Sequence, residues 1–426
     1  MTDLSHKQVI LSALSLQPDF TGLATLPPLS SRHGSALVKW LDRSGLALFF
    51  NARLAETGVL GDLPDGWSKA LADRQIRNIA RTQDMLAEAQ RLQLAFESAS
   101  IVAASLKGFT LTPDFNKSVI LRHQVDFDYL IAPHDVWRTA EVLQACGYAA
   151  ASLNEAGESC FRTPLHHIPT SSDDLYALQC HRQVDLHISL WEPAPWFPLS
   201  VPDDSLTFTE RREIAGVDFR CVSLEDRFLM QVMHAFRHSF RSWVRVSWIL
   251  EIATFLHNYR GHSSLWNRVI QRAGNSQLVR SIFAFVLGLA QRLFQAPIPP
   301  PLYSWVRSAM TPPLRAWLDH FSFDWVTSDW PGSLSNLLLT SEFIPDPALR
   351  RRYWRSRLLP GAAQTSLGVV TSRGTRQRFE HQAARLRYVA HRAGVHLKDI
   401  VTLPWRGFRW RRALSSAYRC GSATNC

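Results

Sequence analysis

Residues 125–131 read Val-Asp-Phe-Asp-Tyr-Leu-Ile, with an apolar side chain at every second position and an aspartate in each of the first two gaps. Successive side chains on a strand point to opposite faces, so this alternation predicts Val125, Phe127, Tyr129 and Ile131 facing inward. Asp126 and Asp128 then lie side by side on the other face. Two carboxylates that close resist ionisation together unless a cation stands between them. The arrangement suits a hard, oxygen-seeking ion such as Mg²⁺.

A second run repeats the pattern. In residues 184–190, Val-Asp-Leu-His-Ile-Ser-Leu, the apolar set Val184, Leu186, Ile188 and Leu190 leaves Asp185, His187 and Ser189 on the opposite face. If the two strands are neighbours, three aspartates converge, as two-metal phosphoryl or nucleotidyl transfer requires. One ion lowers the pKa of an attacking hydroxyl and the other neutralises the departing pyrophosphate. Upstream, Ser105-Leu106-Lys107-Gly108 closes a predicted strand at a turn where backbone N–H groups and a lysine can meet phosphate oxygens, and Arg122 precedes Asp126 by four residues.

Around this segment the period changes. From about Ala36 to Ser98 apolar residues recur at helical steps, in Leu37, Trp40, Leu41 and Leu48 and again in Ile76, Ile79, Leu86, Ala89, Leu92 and Phe96, with a break at Gly61 to Gly66. Short β-type runs follow at Ile101–Leu106, Val125–Ile131, Gln183–Leu190 and Val217–Val222, with an amphipathic helix from Asp135 to Cys146. Helical spacing returns from Ser223 and holds for most of the remainder. The predicted organisation is an N-terminal helical segment (1–98), an α+β catalytic domain (99–222), a helical domain (223–340) and a basic, helix-rich C-terminal segment (341–426), with a helix-like stretch near 377–393.

Composition excludes several classes. At 426 residues and 46% hydrophobic, with 15 Trp and 23 Phe, the chain can build real cores and is not a disordered protein. The first residues lack a secretory pattern, and the apolar stretch 281–290 is too short to span a bilayer and reads as a buried helix. Six scattered cysteines form no C-x-x-C pair, which argues against a disulfide framework and for a reducing, cytoplasmic setting. His166, His167 and His181 find no spacing that completes a tetrahedral zinc set. Net charge is +11, yet 17 Lys and Arg stand against 4 Asp and Glu in 341–426, so the rest of the chain is near neutral. That segment suits a nucleic acid, another anionic partner or an anionic membrane surface, although solvated arginine faces are the commoner use of such charge.

Taken in order, Leu106-Lys107-Gly108, then Arg122-x-x-x-Asp126-x-Asp128-x-Leu130-Ile131, a helix ending at Gly147-Tyr148, and Val184-Asp185-Leu186-His187 resemble a bacterial group of uncharacterised nucleotidyltransferases in the polymerase-β-like superfamily, over about residues 5 to 260. The resemblance implies a mixed sheet with flanking helices. It also implies that Asp126, Asp128 and Asp185 bind the catalytic metals; from the residues themselves we expect two Mg²⁺ ions there, with Lys107, Gly108, Arg122 and His187 contacting the nucleotide. Lys107-Gly108 departs from the superfamily's usual small Gly-Gly or Gly-Ser pair, as this group tends to do, so the resemblance supports phosphate binding at that turn less than it supports the metal site.

Two readings follow. In the first, the chain moves a nucleoside monophosphate from an NTP to a hydroxyl-bearing acceptor and releases pyrophosphate. In the second, it is an inactive module that keeps the scaffold and docks nucleic acid or a partner through its basic end. Bland alternatives accompany each residue: an ion pair with Asp126 for Arg122, a surface lysine at 107, a structural histidine at 187, and an aspartate at 185 paired with Arg182 or Arg162. Three intact aspartates favour the enzyme.

Overall fold

A computed structural model describes residues 3–154, 157–163, 175–178, 182–190, 196–197, 199, 204–241, 244–328 and 333–358, together with part of 383–416. His166, His167, His181 and most of the stretch 377–393 lie outside the described residues.

The N-terminal part is helical: α1 (Asp3–Leu14), α2 (Arg32–Ser44), α3 (Ala47–Thr57) and the long α4 (Trp67–Ser98). Ser31 caps α2 by accepting a hydrogen bond from the Gly34 amide. Gly45, at φ +74°, stops α2 and turns the chain into α3, a break that apolar periodicity alone did not reveal. Next come β1 (Ala104–Ser105), β2 (Asp126–Leu130), α5 (Val136–Ala145), β3 (Ala149–Ser152), β4 (Ser159–Arg162), β5 (Gln183–His187), β6 (Thr209–Ile214) and β7 (Val217–Val222). The helical remainder comprises α6 (Leu224–Arg241), α7 (Val246–Asn258), α8 (Ser263–Ala273), α9 (Gln277–Phe294), α10 (Pro300–Val306), α11 (Pro312–His320), α12 (Ser322–Val326), α13 (Thr340–Phe343) and α14 (Pro347–Leu358).

The strands form one mixed sheet in the order β3-β4-β5-β2-β1-β7-β6. At its centre β2 and β5 run parallel, and their register sets Asp128 directly beside Asp185. The adjacency that the sequence patterns left conditional is therefore met. Strands β3, β4 and β6 were not predicted. Ala149–Ser152 is exposed throughout, and Thr209–Ile214 carries two arginines and two glutamates, so neither shows the apolar alternation of a half-buried strand. One inward position also needs correction. Phe127, Tyr129 and Ile131 are buried as predicted, but Val125 is 41% exposed, because the strand begins at Asp126 and Val125 lies on the approach to it.

Two apolar cores flank the sheet. One is built by Met85, Ala89, Leu92 and Phe96 of α4 together with Phe127, Tyr129, Leu143, Phe161 and Val184. The other joins α1–α3 to α6–α9 and to later helices, with Phe50, Trp67, Phe228, Trp266, Phe285 and Trp317 among its fully buried rings. Helix α9 is the one described helix long and apolar enough to cross a membrane, and it lies mostly buried in this second core, as the sequence predicted for 281–290.

Candidate active site

Buried polar side chains on α4 fix the backbone that leads into β2. Asn78 Nδ2 donates to the Ile120 carbonyl at 2.8 Å, and Arg81 donates through Nε and Nη2 to the Gln124 carbonyl at 3.1 and 2.9 Å. Gln124 Nε2 then donates to the Asp126 carbonyl at 2.8 Å. Because these groups are removed from water, each bond holds the strand entry firmly. On the other side, the Leu106 amide donates to the Asp128 carbonyl at 3.0 Å, which sets the turn bearing Lys107 against the same strand.

The result is a cluster in which Asp126, Asp128 and Asp185 each offer a carboxylate oxygen within 4.8 Å of the others. Side-chain exposure is 31% at Asp126 and 3% at Asp128. Lys107 Nζ stands 3.0 Å from Asp128 and 4.0 Å from Asp126, and His187 Nε2 lies 3.2 Å from Asp128 Oδ1. Asp185 is held by Gln183, whose Nε2 donates to both of its oxygens at 2.9 and 2.8 Å.

The charges are unequally satisfied. Burial opposes ionisation of Asp128, but Lys107 and His187 bring its pKa down to about 2. Burial and the adjacent Asp128 raise Asp126, and the same two causes push Asp185 up to about 7. Burial likewise disfavours the charged Lys107, yet Asp128 and Asp126 hold its pKa above the ordinary lysine range. Lys107 thus serves two of the three crowded carboxylates, Asp128 and Asp126, and two of the three, Asp126 and Asp185, resist losing their protons. An all-oxygen carboxylate set with unmet negative charge fits a hard divalent ion.

Arg122 lines the cleft with the carboxylates, and one nitrogen of its guanidinium is paired outside them. Nη1 donates to both oxygens of Glu251 on α7, at 3.0 and 2.9 Å. The pairing predicted as the bland alternative is thus with Glu251, not Asp126. Asp185 pairs with neither suggested arginine: Arg182 binds Asp84 and Glu88, and Arg162 donates to Gln183 at 3.1 Å. Gly108 stands apart from the cleft. It is buried at φ +77°, and a Cβ there would lie 2.5 Å from Gln124 Nε2, so a close turn against β2 requires glycine.

The cleft, about 300 Å³, brings together six of the seven residues singled out from the sequence: Lys107, Arg122, Asp126, Asp128, Asp185 and His187. It also gathers residues to which the sequence reading gave no chemistry: His123, Glu158, Arg245, Trp248, and His234, Arg237 and His238 of α6. Their sequence signal was slight. His234, Arg237 and His238 are spaced i, i+3, i+4, a polar stripe on one side of an otherwise apolar helix. A smaller apolar pocket, about 80 Å³, adjoins the carboxylates through Asp128 and His187 and is walled by Leu106, Met230, Met233 and Phe236.

No curated protein and no solved structure matches the chain. A family model described as an uncharacterised nucleotidyltransferase matches residues 30–295, a span that contains the whole sheet, the three aspartates and every cleft residue named above. With more than half its length matched, the chain belongs to this nucleotidyltransferase family.

Proposed function

We propose that the protein is a divalent-metal-dependent nucleotidyltransferase that moves a nucleoside monophosphate from an NTP to a hydroxyl-bearing acceptor with release of pyrophosphate. The observation that carries this reading is the convergence of three carboxylates within 4.8 Å on two parallel strands. Asp126, Asp128 and Asp185 would hold the ions, two Mg²⁺ being the set we favour. Bound there, they supply charge neutralisation at phosphate and a lowered pKa for the acceptor hydroxyl.

The chain's own groups divide the remaining work. Asp185 would help to activate the acceptor hydroxyl, taking its proton at a carboxylate oxygen. His187 and Lys107 fix Asp128 between them, so that its oxygens keep one orientation. Lys107, Arg122 and His187 line the cleft where the phosphates would lie and offer donors to them. The apolar pocket beside Asp128 accommodates an uncharged part of one substrate away from water.

We take residues 99–222 as the catalytic unit and the 341–426 segment as an accessory that favours an anionic acceptor or a nucleic acid. Cys146, Cys160 and Cys221 are free thiols, as suits the cytoplasm in which NTP is abundant. Calorimetric titration of NTP into the protein with Mg²⁺ and with EDTA tests the reading. Binding should require the cation and disappear in Asp126→Asn/Asp128→Asn; equal binding by that double variant would remove the aspartates from the site.

A further inference from the structure

Two arginines, Arg122 and Arg245, line the cleft with the carboxylates, and both act on one buried carboxylate, Glu251. Arg122 is neutralised by Glu251, which also accepts from Gln231 Nε2 at 2.6 Å. Arg245, the residue immediately before α7, lines the same cleft, but no hydrogen bond or ion pair reaches its guanidinium among the described residues. Its Nε is buried without an acceptor. Taking the guanidinium partly out of water is costly and the nearby Arg122 adds like-charge repulsion, which attraction to Glu251, Tyr176 and Asp126 offsets only in part. Burial and Arg122 accordingly lower the pKa of Arg245. The backbone makes room for the group at a specific point: a Cβ on Gly45 would stand 2.8 Å from Arg245 Nη2. A guanidinium seated against a left-handed glycine, lining a cleft and making no hydrogen bond or ion pair among the described residues, has donors to offer an anion.

The carboxylates and the two arginines line one cleft, and both arginines favour the charged form of Asp126, so a metal-bound phosphate there has cationic donors beside it for a chain of further phosphates. We infer that Arg245 anchors the polyphosphate tail of the nucleotide, with Arg122 beside it. The inference rests on the nucleotidyltransferase reading and adds a binding residue to it. Arg245 touches neither the metal-binding carboxylates nor the acceptor hydroxyl in this scheme; it binds the departing pyrophosphate portion.

Titration of the full-length protein in Mg²⁺ with inorganic tripolyphosphate, each NTP and each NMP tests this, using wild type, Arg245→Gln and Arg245→Lys. Loss of a charge-assisted guanidinium–phosphate contact should weaken tripolyphosphate and NTP about tenfold or more in Arg245→Gln. NMP affinity should change little, and Arg245→Lys should recover part of the loss. The thermal midpoint of Arg245→Gln should stay close to that of wild type, because no hydrogen bond or ion pair among the described residues is lost. If wild type binds NTP and Arg245→Gln binds it equally, the inference fails and the reaction stands. A variant with a lowered midpoint and equal losses for NTP and NMP would make Arg245 structural, which also overturns it. Failure of wild type to bind either tripolyphosphate or any NTP would remove the underlying reading as well.

Discussion

At Asp185 a proton and a metal ion compete for one carboxylate. Its pKa near 7 means that folding holds a proton there which the unfolded chain releases near pH 4. The sign follows directly. The stabilisation from this group is fully present below the ordinary carboxylate range and is lost as pH rises through 7, by on the order of a few kcal/mol. A bound divalent ion reverses the loss by replacing the proton. The rise in thermal midpoint on adding Mg²⁺ should therefore be larger at pH 8 than at pH 5.5, and Asp185→Asn should reduce the difference, leaving the part due to Asp126; an Mg²⁺ effect independent of pH would contradict this role. Lys107 makes a complementary case. Its ammonium serves Asp128 and Asp126 when no ion is bound, so Lys107→Met should raise Mg²⁺ affinity in titration while weakening NTP binding. A loss of both would mean that Lys107 chiefly holds the aspartates in place. Removing Gln183, which donates twice to Asp185, should reduce metal affinity about 10- to 100-fold in Gln183→Ala.

The elements that carry the carboxylates were the most legible parts of the sequence, and for a physical reason. β2 and β5 are central strands with one face in the core, so their apolar positions must alternate, and Phe127, Tyr129, Val184 and Leu186 do so. Asp126, Asp128, Asp185 and His187 could be placed on one face for that reason alone. β3 and β6, at the sheet edges, carry little apolar alternation and were invisible. Partners distant in sequence were also hidden: nothing near Arg122 announces Glu251, and nothing near Asp126 announces Arg245. The Arg122–Glu251 pair joins the approach to β2 to α7, with Glu251 1% exposed. Breaking such a buried pair from one side leaves an uncompensated charge, so Glu251→Ala should cost about 3–5 kcal/mol in urea unfolding. A cost under about 1 kcal/mol would show that the pair is dispensable for the junction.

Across the whole molecule, the sheet and helices form a frame in which one helix serves both cores. Trp67 and Leu71 of α4 belong to the helical core, whereas Met85 to Phe96 belong to the sheet core, and Asn78 and Arg81 between them hold the strand entry. The C-terminal charge excess does not begin at a clean boundary. In α14 the Tyr353 ring is buried and its hydroxyl donates to the Phe240 carbonyl, so removal of everything after about residue 345 would open the helical core. A truncation after Leu358 is the proper test of an anionic partner. It should preserve the thermal midpoint better than the longer deletion and reduce salt-sensitive RNA or DNA binding; unchanged affinity would free the segment from that role. Farther along, Asp399 accepts from the Leu334 amide at 2.8 Å and pairs with Arg406 at 2.9 Å, so part of the basic end folds back on the helices. Transfer of label from α-³²P-NTP to a mixture of small molecules, RNA and protein, compared between wild type and Asp126→Asn/Asp128→Asn, reaches the central claim most directly. Mg²⁺-dependent labelling by wild type, reduced at least about 100-fold in the double variant, is the predicted result; labelling that survives the double substitution would contradict it.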